Sequence, residues 1–404
     1  MPERVIFHID VNSAFLSWEA VDRLRHGETI DLRLIPSAVG GDIASRHGVI
    51  LAKSIPAKKY KVTTGEPVVD ALRKCPNLVL VKPRHGLYQE MSAAFIRILN
   101  EYSDRIEQFS VDEAFMDMTG TSRLFGTPVE AAERIKDQIK EELGFTVNVG
   151  ISSCKLLAKM ASDFEKPDKV HTLFPEEMEK KMWPLPVGEL FFSGKAATKR
   201  LNEIGIRTIG ELANANRDMI NQVLKKQGDV LWRYANGMDD SIVEPIRPDA
   251  KGYSNSTTIS FDVTDAKTAK EILRTLTDQV CRRLRADDVK VESVSVQFRF
   301  NNLTRASHQG MLPAATNITQ EIYAMVCKLF EEKWDGTPIR LLGVAATKVS
   351  REDCGRQMNL FDDTDYEKLE RLDKAMDSIR NRFGSNAVMR ASSMREDTHN
   401  VRSV

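Results

Sequence analysis

The sequence predicts an α+β, multidomain fold, and three observations carry that reading. A strand–helix–strand–strand–helix–strand series runs through residues 1–174, interrupted after its first strand by a polar, lysine-rich block. Residues 175–245 follow with helical spacing and glycine turns, and residues 252–350 form a second, separate α/β unit. With 404 residues the chain has room for several domains of about 100–200 residues each.

In RVIFHIDV, Val5, Phe7 and Ile9 alternate with Ile6, His8 and Asp10, the pattern of a strand covered on both faces. Residues 22–83 break that pattern with turns at Gly40-Gly41 and Gly65 and a strand-like GVILAKS. After Pro83, Leu87, Met91, Phe95, Ile98 and Leu99 return at helical spacing. Short strands are expected near Arg105–Ser110 and Ala114–Met118, with SVDE between them. Val129, Ala132, Ile135 and Ile139 mark a second helix, and FTVNVGIS a further strand. This is the βαββαβ split unit with a block of about 60 residues spliced in. Its first and third strands are antiparallel neighbours, so Asp10, ending the first, should meet Asp112 and Glu113 at the start of the third.

Residues 175–245 read as wholly helical, with turns at Ser193-Gly194 and Gly205-Ile206, and residues 246–251 as a linker. In the second unit, Ile272, Leu273, Leu276, Val280 and Leu284 share a helical face. In VESVSVQFRF, Val294, Val296, Phe298 and Phe300 point to a core, and Ser293, Ser295, Gln297 and Arg299 to a polar face. A second helix, EIYAMVCKLFEEKW, and a last strand, IRLLGVAATKV, complete the unit. Residues 351–404 form a polar tail with an apolar knot, QMNLF, and a charged helical segment over 365–383.

Composition bounds the function. Lysine plus arginine (58) equals aspartate plus glutamate (58), so any contact with nucleic acid must come from locally concentrated basic residues. The five cysteines are far apart and lack zinc-ligand spacing, which suits reduced thiols. The N-terminus lacks a signal-peptide pattern, and no apolar run approaches the ~18 residues of a membrane span. A soluble, cytoplasmic protein with no membrane partner is expected. Three converging carboxylates are costly unless a hard cation neutralises them. Two Mg2+ ions about 3.5–4 Å apart suit such a set, holding the attacking and leaving oxygens of a phosphoryl transfer.

HIDVNSAF, FSVDEAFMD, VGISSCKLLAKMASDFEKP and QMNLF, in that order across roughly residues 4–390, resemble the Y-family (lesion-bypass) DNA polymerases, the bacterial polymerase IV group above all. The resemblance implies a right-hand polymerase fold. Residues 1–21 and 84–174 would be a βαββαβ palm, 22–83 inserted fingers, 175–245 a helical thumb, and 252–350 an α/β little finger. It implies a template-directed enzyme that adds dNTPs to a primer 3′-hydroxyl, with low fidelity, in translesion synthesis during DNA repair. Asp10, Asp112 and Glu113 would bind the metals, with the Val11 carbonyl as a backbone ligand.

Ser13, Ala14, Phe15, Ile55, Lys58 and Lys166 fall where the family contacts the nucleotide. Phe15 takes the place of a bulky gate against the ribose 2′-hydroxyl, and Lys166 that of a triphosphate-contacting lysine. Without the resemblance, Phe15 reads as a core residue and Lys166 as a solvated one. Three positions depart from the pattern. Ile55 and Lys58 replace a tyrosine and an arginine, losing a hydroxyl donor and two-pronged hydrogen bonding, and Asn12 replaces an acid.

Gly194, Lys195 and Gly205 resemble helix-hairpin-helix contacts to DNA phosphate, though plain helix-capping turns are an alternative. Ser293, Ser295, Gln297 and Arg299 suit a DNA backbone track or simply a solvated face. Gln357, Leu360 and Phe361 resemble a sliding-clamp peptide. The partners so implied are primer-template DNA, dNTP and the clamp, with the chain itself a monomer. Two other readings compete. One is a clamp-bound, polymerase-like adaptor with weak or no catalysis. The other is a nucleotidyl cyclase, which has no use for the thumb-like helices or the clamp peptide.

Overall fold

The computed structural model describes residues 4–41, 48–246, 248–351, 365–385 and 387–388. Contacts divide the chain into two units. One holds residues up to Gly41 and from Val49 to Arg247, and the other holds the chain from Pro248 onward.

The first unit begins with β1 (Ile6–Val11), buried along its whole length, and α1 (Ala14–Arg25). The lysine-rich block then folds as β2 (Ser37–Gly40), β3 (Ile50–Lys53), α2 (Ile55–Lys59), α3 (Val68–Lys74) and β4 (Val79–Val81), with the three strands in the order β3-β2-β4. The chain continues through α4 (His85–Leu99), β5 (Ile106–Gln108), β6 (Glu113–Asp117), α5 (Ser122–Phe125), α6 (Pro128–Leu143), β7 (Val147–Ser152), α7 (Lys155–Ser162) and β8 (Val170–Thr172). The sheet order is β5-β6-β1-β7-β8, so β1 lies between β6 and β7, antiparallel to both, and β8 adds an edge strand that the sequence pattern did not show.

Local chemistry explains the boundaries. Thr127 and Glu130 form a reciprocal capping box with Pro128 at the first helical position of α6, and Gly144 ends that helix at φ 81°. Phe7, Ile9 and Val11 join the core shared with α4 and α6, whereas Ile6 packs with Phe115 and Ala158 on the side of α7. Val129, expected on the core face of α6, is exposed, because the buried stripe runs through Ala131, Ala132, Ile135 and Ile139.

Gly150, opposite His8 in the β1–β7 register, sets how closely α7 sits on the sheet. A Cβ there would lie 2.0 Å from the Ala158 carbonyl oxygen and 2.4 Å from the Ser162 amide nitrogen. Only glycine permits that approach.

Residues 175–245 contain α8 (Met178–Lys181), α9 (Lys195–Glu203), α10 (Ile209–Ala213), α11 (Arg217–Leu224) and α12 (Lys226–Ala235). They are not wholly helical. Pro184 and Pro186 interrupt the chain after α8, since proline lacks the amide a helix needs, and residues 238–245 are irregular.

The second unit comprises β9 (Gly252–Val263), α13 (Ala266–Ala286), β10 (Lys290–Phe300), β11 (Arg305–Thr316), α14 (Thr319–Lys333) and β12 (Ile339–Ser350), followed by α15 (Tyr366–Phe383). The sheet is antiparallel in the order β11-β10-β12-β9. Val294, Val296 and Phe298 meet Ile272, Leu276, Val280, Leu284 and Phe330 in its core. Helix α15 docks through charge. Arg285, 5% exposed, bonds Asp377 at 2.6 Å and Asp373 at 3.2 Å, and Arg380 reaches Asp278 at 2.7 Å. Asp373 also accepts the Thr319 amide at the start of α14 (2.8 Å). Arg285→Ala should therefore remove the buried guanidinium that both acids accept from and lower the unfolding free energy of this unit by about 3–5 kcal/mol, read by denaturant titration. An unchanged midpoint would show that the Arg285 pairs contribute nothing to it. Among the described residues, no helix is long and apolar enough to cross a membrane.

Candidate active site

The β1–β6 register places Asp10 opposite Glu113, and the Val11 amide donates to the Asp112 carbonyl at 3.0 Å. All three acids thus stand at one end of adjoining strands. Their carboxylates have separate partners. Lys166 ion-pairs with Asp10, and Asp163 also holds Lys166, at 2.9 Å. Lys159 donates to Glu113 at 2.9 Å, and the Ser110 hydroxyl donates to Asp112 at 2.6 Å. Among the described residues, no three His, Cys, Asp or Glu side chains are gathered closely enough to hold an ion. The acids converge in backbone register, while Glu113 is turned toward Lys159 and His8.

Burial pushes the Asp10 carboxyl up, against the pull of Lys166. Burial also works against charge on Glu113, but the His8 ring and the Lys159 ammonium outweigh it and hold that carboxyl at about 2. His8 itself is fully buried, which lowers its pKa. Its Nδ1 lies 2.7 Å from the Ser162 hydroxyl and its Nε2 3.8 Å from Glu113. His8, Ser162 and Lys159 were missed from the sequence. The available signal was that His8 precedes Asp10 by two residues, on the same face of one strand.

Asp10, Val11, Ser13, Ala14, Phe15, Ile55, Lys58, Asp112 and Lys166 all line one cavity of about 730 Å³. Sequence reasoning named each of these; it missed Lys53, Leu34 and Arg33 on the same wall. Hard oxygen donors at Asp10 and Asp112 suit a divalent cation such as Mg2+. Glu113 is not part of the cavity wall.

Asn12 secures the loop that carries Lys166. Its side-chain oxygen accepts from Thr146 and from the Asp168 amide, both at 3.0 Å, and its amide donates to Asn148 at 3.1 Å. Phe15 is stacked on Tyr88, with ring centroids 4.4 Å apart and planes 10° from parallel. The Tyr88 hydroxyl donates to buried Glu19 at 2.9 Å, and Arg84 clasps the same carboxylate at 2.7 Å.

The remaining candidates lie elsewhere. Gly194 caps α9 with no side-chain bond, Lys195 begins that helix, and Gly205 turns the chain at φ 88°. On β10, Gln297 is exposed and Ser295 and Arg299 are half-buried. Ser293 is fully buried, contrary to its expected place on an open polar face, because Gln309 of the neighbouring strand covers it and donates to its hydroxyl at 2.7 Å. Gln357, Leu360 and Phe361 lie outside the described residues.

Residues 9–163 match the impB/mucB/samB family, and residues 250–360 match that family's C-terminal domain. DNA polymerase IV of Clostridium acetobutylicum is 47% identical over 96% of this chain and 98% of its own length. DNA polymerase IV 2 of Bacillus subtilis is 40% identical over 98% of this chain and 95% of its own. Among solved structures, a Y-family DNA polymerase chimera superposes with a TM-score of 0.75 at 22% identity, covering 86% of this chain and all (100%) of the chimera, which supports the fold. With near-full-length identity to such relatives and both family regions in order, the chain belongs to the impB/mucB/samB family and is a Y-family, DNA polymerase IV-like protein.

Proposed function

We propose that this DNA-directed DNA polymerase adds dNTPs to a primer 3′-hydroxyl by two-metal phosphoryl transfer, with low fidelity, and serves translesion synthesis in DNA repair. One observation carries the reading: a single cavity holds the carboxylates of Asp10 and Asp112 besides that of Asp31, a bulky aromatic ring and several cations, in the combination a nucleoside triphosphate requires. Asp10, Asp112 and the Val11 carbonyl would hold Mg2+, joined by Glu113. Bound there, the ions would lower the pKa of the primer hydroxyl and offset charge on the triphosphate. Lys58 and Lys166 offer point charges to the phosphates. Phe15, made stiff by Tyr88, closes the space a ribose 2′-hydroxyl would need.

On this reading residues 1–21 and 84–174 form the palm, 22–83 the fingers, 175–245 the thumb and 252–350 the little finger. Gly194, Lys195 and Gly205 meet DNA phosphate through backbone amides. Ser295, Gln297 and Arg299 follow the backbone without reading bases. The peptide at Gln357, Leu360 and Phe361 engages the sliding clamp, and the protein works as a cytoplasmic monomer.

Primer extension on undamaged and damaged templates, with Mg2+ and each dNTP separately, tests the reading. If wild type and Asp112→Ala extended equally little, the adaptor reading would replace it. Phe15→Ala should raise ribonucleotide incorporation roughly 10–100-fold while changing dNTP use far less. Unchanged sugar discrimination would remove the gate.

A further inference from the structure

The cavity wall carries more positive charge than its own acids neutralise. Its basic residues are Arg33, Lys53, Lys58 and Lys166, and its acids Asp10, Asp31 and Asp112. Arg33 is taken up by Asp31, at 2.9 and 2.8 Å, and donates to the Gly144 carbonyl at 2.7 Å. Lys166 is shared by Asp10 and Asp163. Asp112 accepts from Ser110. Neither Lys53 nor Lys58 has an ion-pair partner among the described residues, and the Lys53 ammonium donates to the Thr64 hydroxyl at a long 3.3 Å.

Both lysines are mounted on one stiff corner. Lys53 is the last residue of β3, and its backbone pairs with Ala38 of β2. Ser54 follows, its hydroxyl accepting the Ala57 amide at 3.1 Å to cap α2 and donating to the Ile35 carbonyl at 2.7 Å. Lys58 lies one helical turn further on, and its amide bonds back to the Ser54 carbonyl at 3.0 Å. Ile55, 54% exposed, sits between the two lysines and has no polar atom in its side chain. Two like charges held on one wall repel until an anion lies between them. Partial burial first, and then the charge of Lys58, hold the Lys53 ammonium below its usual pKa, with Glu66 pulling the other way.

We propose that Lys53 is a further triphosphate-binding residue of this polymerase, acting with Lys58 and Lys166 and supplying the donor that Ile55 lacks. The proposal rests on the reading of this cavity as the dNTP site. An ammonium brings three rotatable donors on a long stem, so a lysine on the strand can serve phosphate oxygens from a position where a short side chain cannot.

The test uses the full-length chain on a primer-template. Binding of dATP is measured by calorimetry with Ca2+, and single-nucleotide extension is measured with Mg2+. Lys53→Gln should raise the Kd and KM for dATP about tenfold, with kcat and primer-template affinity within about twofold of wild type. Lys53→Arg, which keeps the charge, should restore dATP binding to within about threefold. If Lys166→Gln weakened dATP binding and Lys53→Gln did not, the proposal would be overturned while the dNTP site stood. Loss of primer-template affinity without loss of dATP affinity would also overturn it, placing Lys53 on a DNA phosphate. If neither variant changed dATP binding, the dNTP reading of the cavity would itself fail.

Discussion

Asp10→Asn is expected to slow primer extension by about a thousandfold or more while leaving the protein folded, since metal-assisted charge stabilisation accounts for several kcal/mol of a phosphoryl transfer. Asparagine keeps the shape of the side chain while removing the charge and turning one acceptor oxygen into an NH2 donor. The partner that loses an interaction, Lys166, keeps Asp163 at 2.9 Å and is about a third exposed, so no buried ammonium is stranded. Stability and catalysis should therefore separate. Single-nucleotide extension and thermal unfolding, run on the same preparation, check both halves. Extension near the wild-type rate would remove this carboxylate from the mechanism.

Gly150→Ala should have an effect of a different kind, disabling the enzyme without touching any group in the cavity. The added methyl would fall 2.0 Å from a backbone oxygen of α7, and neither backbone can yield alone. Overpacking usually costs about 1–3 kcal/mol, and a clash between two backbones belongs at or above the top of that range. If α7 lifts instead, Lys159 leaves Glu113 and Ser162 leaves His8, so the acidic end of the sheet loses its supports. The expected outcome is a melting temperature of the first unit lower by about 6 °C or more together with deeply reduced extension, measured by calorimetry and by primer elongation. Unchanged values for both would mean that helix and strand are not so closely seated.

How much of this was legible in the sequence depended on where the partner of each residue lies. Strand β1 could be read because both its faces are apolar, and α6 because its cap, its stripe and its closing glycine are all local. Strands β9 and β11 were not recognised. Both are sheet edges, and β11 carries Gly310 and Pro313, which an edge tolerates and a central strand does not. The burial of Ser293 was hidden for a related reason, since its cover, Gln309, belongs to another strand.

At the site, topology alone set Asp10 opposite Glu113, because a βαββαβ sheet allows few neighbours for its first strand. The ammonium partners were not foreseeable. Lys159 and Lys166 follow Asp10 by about 150 residues, and no periodicity links them to it. Lys53 looked like one lysine in a lysine-rich block until the fold set it on a cavity wall.

The stack behind Phe15 has a consequence for what kind of selectivity this pocket can exercise. A ring lying flat on Tyr88, itself anchored to a buried carboxylate and an arginine, cannot swing aside to welcome a larger guest. Elsewhere in the same lining, by contrast, Leu34 and Ile55 are largely open to solvent. One part of the lining is braced and another is exposed. On the function proposed above, such a site would be strict about the sugar and lax about the base, two tolerances governed by different residues and open to separate change.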